Sequence, residues 1–338
     1  MIARLNFIRL FILLTILSVV LSAQPRYEKT NSAPGEFARL GFGARGIAMG
    51  NAISAYKTNF PISFYNPALA GFQSGNLLNA GYTFLSLDRS VNYLSFGRKF
   101  EFYSAKDSAL PGRKPRATAG FAFGIINSGV DEIDGRDNHG FKTKTLSTSE
   151  NLLFISLSNR FSDRFAAGLN AKLYYYKLYE DVSATSLAFD VGILYNYSQN
   201  LSFSFTLSDL NAAYRWDTSP IYSQEGSITD EKFPTTKKLG IAFSMPELRL
   251  DIAGEFEWNN LERKLVRVGA EFKLYENLFI LAGLDKIHFY NRDEMPVPSL
   301  GISYMHTINP VNVGFDYAFS YEQFSLTTRH LINLKILF

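Results

Sequence analysis

The side chains able to do chemistry are few and poorly placed for it. The four histidines, His139, His288, His306 and His330, stand far apart. None has the HExxH-type spacing that lets two imidazoles share a metal. The chain has 0 cysteines, which removes thiolate metal sites, disulfides and a lipid anchor on cysteine. The densest acidic stretch, Asp131-Glu132-Ile133-Asp134-Gly135-Arg136-Asp137, lacks the ligand spacing of a calcium loop and reads as a solvated loop. A hydrolytic triad needs Ser, His and an orienting acid on one face. Ser325 and His330 fall on one alternating segment with opposite parity, so they face apart. Lys+Arg total 34 against Asp+Glu 31 with no basic cluster, so nucleic acid is not an expected partner. The expectation is no enzyme, no catalytic residue, no metal and no cofactor.

The elements that would position any site read as strands. The 338 residues are 46% hydrophobic and 15% aromatic, yet the mean hydropathy is only -0.04. From Asn79 onward the pattern explains this, because apolar and polar residues alternate with period two. Leu201, Phe203, Phe205 and Leu207 alternate with Ser202, Ser204, Thr206 and Ser208. Val311, Val313, Phe315, Tyr317 and Phe319 alternate with Asn312, Gly314, Asp316, Ala318 and Ser320. A strand places these two sets on opposite faces. Fourteen such segments begin near Asn79, Val91, Arg116, Asn151, Arg164, Thr185, Leu201, Thr236, Leu248, Lys264, Leu278, Val297, Val311 and Ser325. From the third on, short turns alternate with the longer loops Ser128–Glu150, Tyr179–Ala184, Asn211–Thr235, Asn259–Arg263 and Phe289–Pro296. The short side is then periplasmic. The first two segments break this rule, with a short Asp88-Arg89-Ser90 turn and a long Ser104–Pro115 link.

Arg4 and Arg9 precede an apolar run, Leu10 to Leu21, and Ser22-Ala23. This reads as an export signal over residues 1–23, too short for a spanning helix. With export, charges confined to one face and a terminal apolar strand ending on Phe338, the expected class is all-β. It is a 14-stranded antiparallel transmembrane barrel over residues 79–338, in contact with outer-membrane lipid; an exported soluble sandwich is the alternative. Tyr174-Tyr175-Tyr176, Tyr195, Tyr197, Trp258, Phe289 and Tyr290 are expected in interfacial girdles.

Residues 24–78 do not alternate. Gly41, Gly43, Gly46 and Gly50 recur there among small residues, with helices expected over Ala44 to Ala55 and from Pro67, capped by Asn66. A barrel of this size leaves space inside, and a short N-terminal hatch folded into the lumen is the expectation, a disordered leader the alternative. Arg45, if enclosed, needs a carboxylate because a buried unpaired charge is costly. Asp190, Asp251, Glu255, Glu257 and Glu271 are the inward-parity candidates, while an exposed periplasmic turn is the other reading. In the longest loop, Tyr214, Trp216, Tyr222 and Phe233 are expected to form a cap or docking lid, or to fold back on their own strands.

The hatch residues also carry a resemblance. Gly43, Ala44, Arg45, Met49, Gly50 and Ala52, followed by Asn66, Pro67 and Ala68, resemble the N-terminal hatch of the PorV/PorQ family, within the FadL-type outer-membrane proteins. Two positions depart from that pattern: Lys57-Thr58-Asn59 replaces an acidic turn, and Asn51 stands where Gly is usual. The resemblance implies a hatch-filled fourteen-stranded barrel. The role it leads to expect is an accessory of type IX protein secretion, with secretion components or cargo proteins as partners. The alternative is a FadL-like channel for uptake or export of hydrophobic small molecules.

Overall fold

In the computed structural model, residues 33–58, 60, 62–103, 115–289, 294–322 and 327–338 are described. The export signal, Asn59, Tyr290, Ser325 and most of the Ser104–Pro115 link lie outside them. Sixteen strands follow two short helices, α1 (Glu36–Arg39) and α2 (Ala44–Ala48), and a 3-10 turn over Pro67–Phe72. The first seven are β1 (Asn76–Phe84), β2 (Ser90–Phe102), β3 (Ala117–Arg136), β4 (Lys142–Arg160), β5 (Phe165–Tyr179), β6 (Val182–Asn196) and β7 (Leu201–Leu210). A hairpin of β8 (Ala213–Asp217) and β9 (Ile228–Lys232) intervenes. Then come β10 (Thr236–Met245), β11 (Leu250–Asn259), β12 (Lys264–Tyr275), β13 (Leu278–His288), β14 (Val297–Ile308), β15 (Val311–Tyr321) and β16 (Thr328–Leu337). All but β8 and β9 form one closed, antiparallel, fourteen-stranded barrel, with β7 beside β10 and β16 closing onto β1. Closure removes every sheet edge, so each wall strand has two hydrogen-bonded neighbours.

The alternation does what period two requires. On β4, Leu153, Ile155 and Leu157 face out, while Leu152, Phe154, Ser156 and Ser158 face the lumen. Elsewhere the outward set is equally apolar, including Phe203, Ile241, Ile252, Ile280, Leu300, Phe315 and Leu334. An apolar belt of this extent is not a surface that water favours. No described helix is long and apolar enough to cross a membrane.

Two expectations about loops and one about a helix are corrected. Ser128–Glu150 is not a loop, since β3 and β4 stay paired out to Arg136 and Lys142. Both faces of that extension meet solvent, so its sequence has no reason to alternate. Tyr179–Ala184 shrinks to a two-residue turn between β5 and β6. The helix expected over Ala44 to Ala55 stops at Ala48. Gly50 takes φ 59°, its N–H reaches the Ile47 carbonyl at 2.9 Å, and Asn51 N–H reaches the Gly46 carbonyl at 2.8 Å. That paired closure ends a helix and favours glycine at its left-handed position.

Candidate functional site

The described residues from 36 to 72 fill the lumen, and the wall receives their backbone on glycines. A Cβ on Gly168 of β5 would stand 2.6 Å from the Pro67 carbonyl carbon. One on Gly192 of β6 would strike Pro67 Cδ at 2.7 Å. Across the barrel, Gly269 of β12 and Gly283 of β13 lie under Met49 and Gly50, and Gly301 of β14 lies under Ala48. Gly168 pairs with Gly192, and Gly269 with Gly283. Each pair is a two-residue notch in the wall, usable only by a backbone that comes within contact distance.

Side chains then tie the plug to the wall. Arg45 is buried and donates from Nη1 to Glu271 Oε2 of β12, and from Nη2 to Ser303 Oγ of β14 at 3.1 Å. Its guanidinium carbon lies 5.6 Å from the Phe279 ring centre. Burial works against its charge, but Glu271 and Asp316 outweigh that and hold its pKa above the ordinary value. Asn51 Nδ2 donates to Asp285 Oδ2 at 2.8 Å, and Tyr65 OH donates to Asn51 Oδ1 at 2.6 Å. Tyr56 OH donates to Asp251 Oδ2 at 2.8 Å. Asn66 caps the 3-10 turn by accepting from Ala68 N, and it donates to Ser54 O at 2.9 Å and Ile193 O at 3.2 Å.

Of the five candidate carboxylates, Glu271 is the one that meets Arg45. Asp251 meets Tyr56 instead. Glu255 and Glu257 accept from Arg267 Nη1 at 2.9 and 2.7 Å, and Arg267 Nε reaches Asp285 Oδ1 at 2.7 Å. Asp190 lies across the lumen, 2.8 Å from Lys172 Nζ, which also reaches Asp209 at 3.1 Å. Lys335 Nζ pairs with Asp316 at 2.7 Å. Lys172 and Lys335 were missed as wall cations, while Arg267 stands on the polar inward face where the alternation puts it. Their inward parity was readable, because each alternates with outward Leu, Val or Ile along its strand. Gly43, at φ 67°, and Ala44 start α2, and Ala68 sits buried in the turn after Pro67.

The loop aromatics divide. Tyr214 and Phe233 are buried, with ring centres 4.8 Å apart, and both pack on Tyr174. Trp216 packs on Tyr176 at 5.3 Å. Tyr174 therefore faces the lumen and is no part of an outer girdle, while Tyr175 beside it is exposed. Tyr222 is exposed at the hairpin tip. A cavity of about 460 Å³ opens at the loop end, floored by α1 and lined by Phe37, Leu40, Leu85 and Val297 among others. A gap of about 40 Å³ lies behind α1 near Arg39, Tyr65 and Arg267. At the turn end, a cavity of about 310 Å³ is lined by Asp251, Glu271 and Phe279, beside the Arg45 contact. The plug lies between the loop-end cavity and this turn-end one.

A closed barrel, apolar outside and charged inside, with its lumen filled by its own N-terminal segment, has the architecture of a plugged outer-membrane barrel. Solved structures of transporters share this barrel fold. The toluene transporter TodX of Pseudomonas putida aligns with a TM-score of 0.58 at 13% identity, over 88% of this chain and 97% of that one. The toluene transporter TbuX of Ralstonia pickettii gives 0.56 at 12%, over 88% and 97%. A FadL homologue of Pseudomonas aeruginosa gives 0.53 at 13%, over 87% and 97%. No family model and no curated protein matches the sequence.

Proposed function

We propose that this protein is a plugged outer-membrane channel that passes hydrophobic small molecules. Residues 1–23 would be removed on export, the apolar belt would meet lipid, and the short turns would face the periplasm. The observation that carries this reading is the partly apolar cavity of about 460 Å³ at the loop end, closed below by a plug that is seated rather than fused to the wall. A pocket of that size, in which Phe37, Leu40, Leu85, Leu87, Val130 and Val297 stand among charged and hydroxyl side chains, suits a small organic solute. The fold shared with two toluene transporters supports it. Cells producing the protein should take up labelled toluene faster than cells lacking it, and equal rates would sink the reading.

The motif over Gly43–Ala68 supports a second reading, an accessory of type IX secretion. It separates cleanly from the first. A deletion strain would then lose exported proteins from its surface while its toluene uptake stayed unchanged.

A further inference from the structure

The outward set of the wall is apolar, and on three adjacent strands it ends in charge. At the loop end of β10, β11 and β12 the outward side chains are Lys237, Trp258 and Lys264. Lys237 lies directly opposite Trp258, and Trp258 directly opposite Lys264. Both lysines are exposed, and Trp258 is half-buried between them. At the turn end of the same strands the matching row is Met245, Leu250 and Phe272, with no charge. An outward lysine is costly at the bilayer midplane and nearly free at the boundary, so the row marks where the apolar belt ends.

Rings underlie this row. Trp258 stacks on Phe256 at 5.3 Å between ring centres, and Phe289 meets Phe256 edge-on at 5.6 Å. Phe289 N donates to the Lys264 carbonyl at 3.3 Å, which holds that residue beside the lysine. Further toward the turn end the same strands present Leu239, Ile241 and Val268 outward. A cationic rim thus adjoins an aromatic and aliphatic floor.

The acidic side chains of these strands face the other way. Asp251, Glu255, Glu257 and Glu271 lie on the lumen face, where they meet Tyr56, Arg267 and Arg45. Lys238, next to Lys237, is on that face too, 3.5 Å from Glu255 and 3.6 Å from Glu257. Glu262, in the turn between β11 and β12, is the nearest acidic residue along the chain, and the two lysines outnumber it. The lysine Cα atoms stand roughly 10 Å apart, two inter-strand steps. Their long side chains can therefore close on one anion held over Trp258.

We infer that Lys237, Trp258 and Lys264 form a docking site for the phosphate of a phosphorylated lipid in the outer leaflet, with its acyl chains along Phe256, Leu239 and Val268. A soluble anion would leave the aromatic floor uncovered, and a neutral lipid would leave the lysines to water. The inference rests on the barrel lying in the membrane with its loops outward, and not on what the lumen carries. Its failure would leave the channel reading standing.

Trp216→Phe leaves Trp258 as the only tryptophan, so its fluorescence reports the site. The full mature chain is placed in phosphatidylcholine vesicles doped, at equal mole fraction, with phosphatidic acid or with diacylglycerol, each brominated near the head group. Quenching should show phosphatidic acid enriched beside Trp258 by about tenfold or more over diacylglycerol. The unaltered chain, with both tryptophans, should show the same ranking at lower amplitude. Lys237→Ala and Lys264→Ala should each cut the preference about fivefold, and the double variant should abolish it. Lys177→Ala is the control. It removes an outward lysine of β5 whose cross-strand neighbours are Ser149 and Ser183, and it should change nothing. Heat-dependent migration on a gel checks that each variant still forms its barrel. Equal quenching by the two lipids would overturn the site, since lysines that only reach for water do not choose a lipid. So would a preference that survived the double variant, or one lost equally in Lys177→Ala. Relief of the quenching by inorganic phosphate would overturn the lipid as occupant.

Discussion

The plug has two flanks, and they are held differently. On one flank, Ala44 to Asn51 lies against β12, β13 and β14. On the other, Asn66 to Phe72 lies against β3 to β6. Both rest their backbone on wall glycines, Gly269, Gly283 and Gly301 on the first, Gly120, Gly168 and Gly192 on the second. Only the first adds a carboxylate, through Arg45 to Glu271 and Asn51 to Asp285. The second uses a neutral hydrogen bond, Asn66 to the Ile193 carbonyl, and the Arg160 guanidinium 4.9 Å from the Phe72 ring centre. Steric fit is thus common to both flanks, and attachment to a buried carboxylate belongs to one. A seat made of shape alone tolerates no side chain but asks for no partner. A charged attachment fails as a unit when either member is lost. The Arg45 flank is therefore the one that a single uncharged substitution should free.

The largest effect is expected from Arg45→Ala. It strands Glu271 in a buried site, and breaking a buried pair from one side costs about 3–5 kcal/mol. The Ala44–Asn51 flank should become sensitive to protease and the barrel leaky to small solutes, while the Asn66 flank stays protected. Arg45→Lys keeps the charge but gives up the two-pronged reach to Glu271 and Ser303, so it should fall between the two. Unchanged protease resistance and permeability in Arg45→Ala would erase the distinction between the flanks.

A smaller effect, on the opposite flank, is expected from Gly168→Val. The new side chain would meet the Pro67 and Ala68 backbone, which has no rotamer with which to yield. Overpacking of this kind costs about 1–3 kcal/mol. Protease protection should be lost from Asn66 to Phe72 first. If Gly168→Val instead loosened the Arg45 flank, the plug would be one rigid body and the contrast between its flanks would fail. This glycine also marks how far the sequence could be read. Ala166, Gly168, Asn170 and Lys172 alternate with outward residues, so their place on the lumen face was legible. That Gly168 seats a backbone was not, because its role depends on Gly192 lying beside it, and register across strands is a property of the closed barrel. The same limit applies to the carboxylates. Glu271 and Asp190 have the same inward parity, yet one meets the plug and the other meets Lys172. Parity assigns a face, and only closure assigns a neighbour. Lys286 escaped even parity, since the bulge at Asp285 puts two consecutive residues on one face. The β3–β4 extension was missed for the opposite reason, that a hairpin wet on both faces has no alternation to read.

The smallest expected effect separates two roles held by one side chain. Asn66 is fully buried, and its Oδ1 caps the turn at Ala68 while its Nδ2 serves the Ser54 and Ile193 carbonyls. Serine caps about as well as asparagine, but its single hydroxyl cannot also bridge to both carbonyls. The step from Asn66→Ser to Asn66→Ala therefore reads the cap, worth about 1 kcal/mol. The step from Asn66 to Asn66→Ser reads the tie to β6. If the Asn66 flank is held mainly by shape, Asn66→Ser should leave protease protection of residues 66–72 nearly intact, and only Asn66→Ala should lower it measurably. If Asn66→Ser alone released the flank, the hydrogen bond to Ile193 would be its true attachment. The two flanks would then differ in the charge of their fastening rather than in having one.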